Sequence, residues 1–100
     1  MTYELAFLES ALKEWRKLAP PIREQFKAKL RERLAAPHVA SARLPGLADC
    51  YKIKLRAVGY RLVYQVDDHV VLVTVVAVGK RDRGLVYLSP GIRLERKRTR

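Results

Sequence analysis

The chain is poor in the residues that usually announce a mechanism. It has one cysteine and two histidines in 100 residues, so an internal disulfide is excluded and no zinc-ligand spacing exists. Cys50 reads as a half-buried thiol at a strand start, in a reducing compartment. The longest apolar run, "VVLVTVVAV", falls well short of the roughly 20 residues a membrane-spanning helix needs. The opening "MTYELAFLESALKEW" lacks the basic start and apolar core of a signal peptide. Together these absences set the expectation of a cytoplasmic protein without a membrane, metal or cofactor. Acids are scarce too: 10 Asp and Glu stand against 21 Lys and Arg, a net charge of +11 and a pI near 10.3. Such an imbalance points to a polyanionic partner, with nucleic acid ahead of an acidic protein or an anionic membrane.

What is present is enough for one folded domain. Hydrophobic residues make up 49% of the chain, too many for a disordered tail, and 100 residues fill a single core. Residues 2–8 read as a strand. Leu8, Ala11, Leu12, Trp15 and Leu18 then follow helical spacing, giving a short amphipathic helix over 9–18. Ala19-Pro20-Pro21 stops it, with Pro21 suited to the first turn of a second helix. Ile22, Phe26, Leu30 and Leu34 form the buried stripe of that helix, and Pro37 ends it. After a loop holding Pro45-Gly46 come three strands, about 50–56, 60–66 and 70–78. No repeat or linker intervenes, and residues 92–100 form a basic C-terminal tail. The order β-α-α-β-β-β predicts a single α+β domain over 1–100. A helical hairpin packs on one face of a mainly antiparallel sheet of about four strands, with a short C-terminal helix as a further element.

"CYKIKLRAVGYRLVYQV", residues 50–66, fixes its own register. Apolar side chains take odd positions before the Ala57-Val58-Gly59 turn and even positions after it, so one buried face must pair odd with even. Lys54 then lies opposite Arg61, and Lys52 opposite Val63, on the other face. A solvated sheet face is the plain reading for isolated charges, but such faces mix signs because like charges across strands repel. This stretch holds four cations and no acid. Lys80, Arg81 and Arg83 follow closely, with Tyr87 beyond.

Phosphate is the natural guest for such a cluster, and Tyr87 offers a ring for base stacking. RNA cleavage would need a base for the 2′-OH, cations for the pentacovalent state and an acid for the leaving oxygen. His38 sits in a loop and His69 at a turn, each expected to face solvent. Ser10, Ser41 and Ser89 have no histidine and carboxylate nearby to form a triad. Any such chemistry therefore falls to lysine, arginine and tyrosine, and crowding by Lys52 makes Lys54 a better base. On helix 2, Arg23, Lys27 and Arg31 recur every fourth residue as a basic stripe, either a solvated face or a set of contacts to RNA phosphates.

"ALKEWRKL", "DCYKIKLR", "GYRLVYQV" and "VGKR" followed by a tyrosine resemble the RelE toxins of bacterial toxin–antitoxin systems, from about Tyr3 to Tyr87. The resemblance implies a ribosome-dependent endoribonuclease that cuts mRNA in the ribosomal A site. By the same resemblance Lys52 and Lys54 supply the base and electrostatic role, Arg61 stabilises the transition state, Arg81 serves the leaving group or phosphate, and Tyr87 stacks on a nucleotide. Arg43, Arg56, Lys80 and Arg83 would add backbone contacts, and Arg23, Lys27 and Arg31 contacts to 16S ribosomal RNA. A RelB-like antitoxin is the implied protein partner, and operator DNA would be bound only through that complex. Pro45 and Pro90-Gly91 depart from the family pattern, which expects a basic residue at the first and a helix at the second. Alternatives on the same fold are a non-catalytic poison of the ParE type, acting on gyrase, and a plain RNA-binding module.

Overall fold

Local signals place each element much as the periodicity demands. The computed structural model describes residues 2–80. They form β1 (Glu4–Phe7), α1 (Glu9–Arg16), α2 (Pro20–Ala35), a 3-10 turn at Ala40–Ala42, β2 (Cys50–Leu55), β3 (Tyr60–Asp67) and β4 (Leu72–Lys80). Pro20 and Pro21 occupy the first turn of α2, where no backbone donor is missed. Ala36, ahead of Pro37, leaves helical geometry at φ −149°. The expected C-terminal helix and the 92–100 tail lie outside the described residues.

The sheet order is β1-β4-β3-β2. β2–β3 and β3–β4 are antiparallel, whereas β1 lies parallel to β4, so the sheet is mixed at one edge. Lys54 does pair with Arg61 and Lys52 with Val63. Gly59, at φ +71°, closes this hairpin by donating its N–H to Leu55 O. The second hairpin differs from the expected 70–78 start. Val70 is exposed, Val71 takes the left-handed conformation at φ 55°, and its carbonyl accepts the N–H of Glu4 from β1.

The main core lies between sheet and helices. Tyr51, Ile53, Leu55, Leu62, Tyr64 and Val66 from the hairpin meet Val73, Val75 and Val78 of β4, with Ala11, Leu18, Phe26 and Leu30 above them. Trp15 joins the layers, its ring 5.2 Å from Phe7 and 6.2 Å from Phe26. A register shift between Val63 and Tyr64 leaves Val76 as an extra residue in β4. Val76 and Ala77 consequently share the opposite face with Cys50, Val63 and Leu44, a second small core roofed by Leu47. Cys50 is thus fully buried rather than half-buried, and that burial raises its thiol pKa to about 11. No helix among the described residues is long and apolar enough to cross a membrane.

Candidate active site

The end of this opposite face nearest the first hairpin turn carries the cations. Two rows cross the strands: Lys54, Arg61 and Gly79 in one, and Lys52, Val63 and Ala77 in the next. Alternation directs Lys52 and Lys54 away from the core filled by Tyr51, Ile53 and Leu55. Gly79 adds no side chain beside Arg61. Lys52, Lys54 and Arg61 are all partly exposed, while Arg56 and Lys80 at the strand ends are exposed.

Electrostatics follow from the crowding. The pKa of Lys54 is lowered, first by the charge of Lys52, then by partial loss of solvent, then by Arg61 and Arg56. Repulsion among cations disfavours the ammonium form, so a larger share of Lys54 is a free amine, able to accept a proton. An arriving phosphate would relieve the same repulsion. Among the described residues no group of three or more His, Cys, Asp or Glu side chains is placed to hold a metal ion.

Other expected positions are more dispersed. Arg43 is exposed, in a single antiparallel bridge to Tyr51 beside the β2 edge. The α2 stripe belongs to the helical layer, across the sheet from the lysines. Within it Arg23 donates to the carbonyls of Arg16 and Leu18, closing the end of α1, and Lys27 pairs with Glu24 at 3.1 Å. Arg31 is exposed. Arg81, Arg83 and Tyr87 lie outside the described residues. β4 ends at Lys80, which pairs with Tyr60 beside the Lys54–Arg61 row.

Two residues without a periodic signal, Arg33 and His38, also shape the region. Arg33, from α2, donates Nη1 to Lys52 O at 3.2 Å and to Tyr64 Oη at 2.9 Å, with its guanidinium 5.8 Å from the Tyr64 ring centre. Tyr64 donates in turn to Pro37 O at 2.8 Å. His38 is not merely a solvated loop residue. Its Nε2 meets Asp68 at 2.9 Å and its Nδ1 meets Tyr51 Oη at 2.9 Å. A carboxylate can only accept, so in the neutral ring Nε2 donates and Nδ1 accepts the phenol. Tyr3 also donates to Asp68, and these two hydrogen bonds hold the Asp68 carboxyl below its usual pKa.

Comparison with known proteins identifies the family and the fold. Residues 5–85 match the family described as the ParE toxin of type II toxin–antitoxin systems. The chain is 59% identical to the mRNA interferase toxin RelE of Escherichia coli K12 over 87 residues, covering 87% of this chain and 92% of that one. It superposes with TM-score 0.87 and 54% identity on a free E. coli RelE carrying two arginine-to-alanine changes, covering 93% of this chain and 98% of the other. With RelE from the intact E. coli RelBE toxin–antitoxin complex the TM-score is 0.77 at 59% identity, over 78% and 95% of the two chains.

Proposed function

The chain belongs to the family of ParE toxins of type II toxin–antitoxin systems, and from that premise we propose that it is an mRNA interferase, an endoribonuclease that stops translation. The observation that carries this reading is the acid-free cluster of Lys52, Lys54 and Arg61 across two adjacent rows, with the proton affinity of Lys54 depressed by its neighbours. A gyrase poison has no need of that cluster, and the 59% identity is to a relative named as an mRNA interferase.

The mechanism follows from what the cluster offers. Lys54, as free amine, takes the proton from a ribose 2′-OH, and the 2′-oxygen attacks the adjacent phosphorus. Lys52 and Arg61 hold the added negative charge of the pentacovalent state. The P–O5′ bond then breaks and the leaving O5′ takes a proton from water, giving a 2′,3′-cyclic phosphate upstream and a 5′-hydroxyl downstream. Arg81 is assigned to the leaving oxygen and Tyr87 to stacking on a base.

Such a site works only on a substrate already held in line. Lysine and arginine are weak proton shuttles near neutral pH, whereas preset orientation contributes up to about 7–11 kcal/mol. The ribosome supplies that orientation by holding the A-site codon while Arg23, Lys27 and Arg31 contact 16S RNA. The setting is the cytoplasm. A RelB-like antitoxin restrains the toxin, as suits a relative crystallised in a RelBE complex, and only the pair binds operator DNA. Arg43, Arg56, Lys80 and Arg83 add phosphate contacts.

The test compares one transcript, naked and programmed into ribosomes with an empty A site, at equal toxin concentration. Cleavage confined to the ribosomal sample, with cyclic phosphate ends, is the expected result. Equal cleavage of both would return the enzyme to the free-standing ribonucleases, and cleavage of neither would end the nuclease reading.

A further inference from the structure

β2 is an edge strand, and beyond Tyr51 its outer side borders a hollow of about 340 Å³. Arg33, Ser41, Ala42, Lys52, Lys54 and Arg56 line it. Four of these six are cations and none is an acid. Arg33 comes from α2 and Ser41 from the 3-10 turn, so three separate elements converge on one basic recess.

The Arg33 guanidinium is fixed before anything binds. Both hydrogens of Nη1 are committed, one to Lys52 O and one to Tyr64 Oη, and the cation lies over the Tyr64 ring. Its Nε and Nη2 donors have no hydrogen-bond partner among the described residues, and they form a planar fork that matches two oxygens of a phosphate. Because the fork is already oriented, little rotamer freedom is lost on binding.

We propose that this hollow is a subsite for an RNA backbone phosphate neighbouring the scissile one, with Arg33 as its anchor and Ser41 and Arg56 at its rim. The assignment of the ligand as RNA rests on the nuclease reading above. Continuity favours RNA over an acidic peptide, because Lys52 and Lys54 belong both to the hollow and to the catalytic cluster. Lys52 and Lys54 also lie about 6.6 Å apart along the edge, with Arg56 just past the strand end, so positive charge runs along the edge as it would beside a chain with one charge per repeat.

The test titrates the full chain with a 2′-O-methyl RNA hexamer, which lacks the attacking hydroxyl, across a range of salt. Ser41→Asp places an acid in the recess without touching the Arg33 contacts, and Arg33→Gln removes the fork. Each variant should bind the hexamer about fivefold more weakly. For Arg33→Gln the slope of log K against log salt should shrink by about 0.7, the loss of one single-strand phosphate contact. If Arg33→Gln fails to fold, Ser41→Asp still decides by affinity. Unchanged affinity in Ser41→Asp, with the parent still cleaving on ribosomes, overturns the subsite and leaves the nuclease standing. Weakened hexamer binding together with a parent that cleaves nothing keeps the subsite and removes the nuclease. Should Ser41→Asp weaken a decaglutamate peptide and not the hexamer, the recess is a protein carboxylate site and the RNA assignment falls.

Discussion

Replacing Tyr64 by Phe removes a single oxygen, and its cost can be worked from the contacts. Tyr64 is fully buried, and its hydroxyl accepts from Arg33 at 2.9 Å and donates to Pro37 O at 2.8 Å. The ring stays, stacked 5.6 Å from Tyr51, so no cavity opens. Pro37 O keeps the N–H of Val39 at 3.0 Å, which limits that side of the loss to about 1 kcal/mol. The bond from Arg33 is charged and adds about 1.5 kcal/mol, at the low end of its class because Arg33 is partly exposed and retains Lys52 O. The sum is about 2–3 kcal/mol, a fall of about 10–20 °C in Tm for a domain this size. Urea unfolding should show a lower midpoint at constant m. In a double-mutant cycle with Arg33→Met, a coupling of about 1 kcal/mol should appear. A loss below about 0.5 kcal/mol, or strict additivity in the cycle, would refute the Arg33–Tyr64 pairing. Alkaline behaviour gives a second reading. Burial raises the Tyr64 pKa above its ordinary value, against the lowering effect of Arg33. The stability that follows is complete below the unfolded pKa of about 10 and is lost as pH rises through the folded value. Tyr64→Phe should lack that loss.

Three other outcomes test the chemistry and the fold. Arg61→Ala should lower ribosomal mRNA cleavage about 10²-fold or more, the scale for one preset charge donor; unaltered cleavage by a variant with unaltered circular dichroism contradicts its role. Lys52→Met removes the largest cause of the lowered Lys54 pKa, so the rising limb of the pH–rate profile should move to higher pH. A limb that stays in place means Lys54 is not the base. Val71→Asn puts a residue tolerant of positive φ where valine now sits at φ 55° and should raise stability by about 0.5–1 kcal/mol in urea unfolding.

The hairpin was legible because a period-two alternation that changes parity across a turn admits one register, and the lysines mark which face is wet. Both helices were legible from proline punctuation and apolar spacing. The parallel partnership of β1 with β4 was not, because local pattern names a strand and is silent on its neighbour. Nor was the second core: "VVLVTVVAV" reads as apolar throughout, and only the extra residue Val76 shows which side chains turn to which face. Of the candidate site, Lys52, Lys54 and Arg61 were readable as a set. Arg33 was hidden because it falls outside the Arg23, Lys27, Arg31 stripe, and its partners Lys52 and Tyr64 lie 19 and 31 residues away. His38 was missed for a similar reason, since Asp68 is 30 residues distant.

The parallel pairing of β1 with β4 also orders events in time. Glu4 to Phe7 align with Leu72 to Val75, so β1 must wait for a partner strand made much later. At about 5–20 residues per second that delay is several seconds, during which Leu5 and Phe7 have no strand to join. Contacts this distant in sequence close slowly, and the nascent chain cannot complete its sheet while most of it is still being synthesised. The sheet is therefore assembled into its final form only once β4 has emerged.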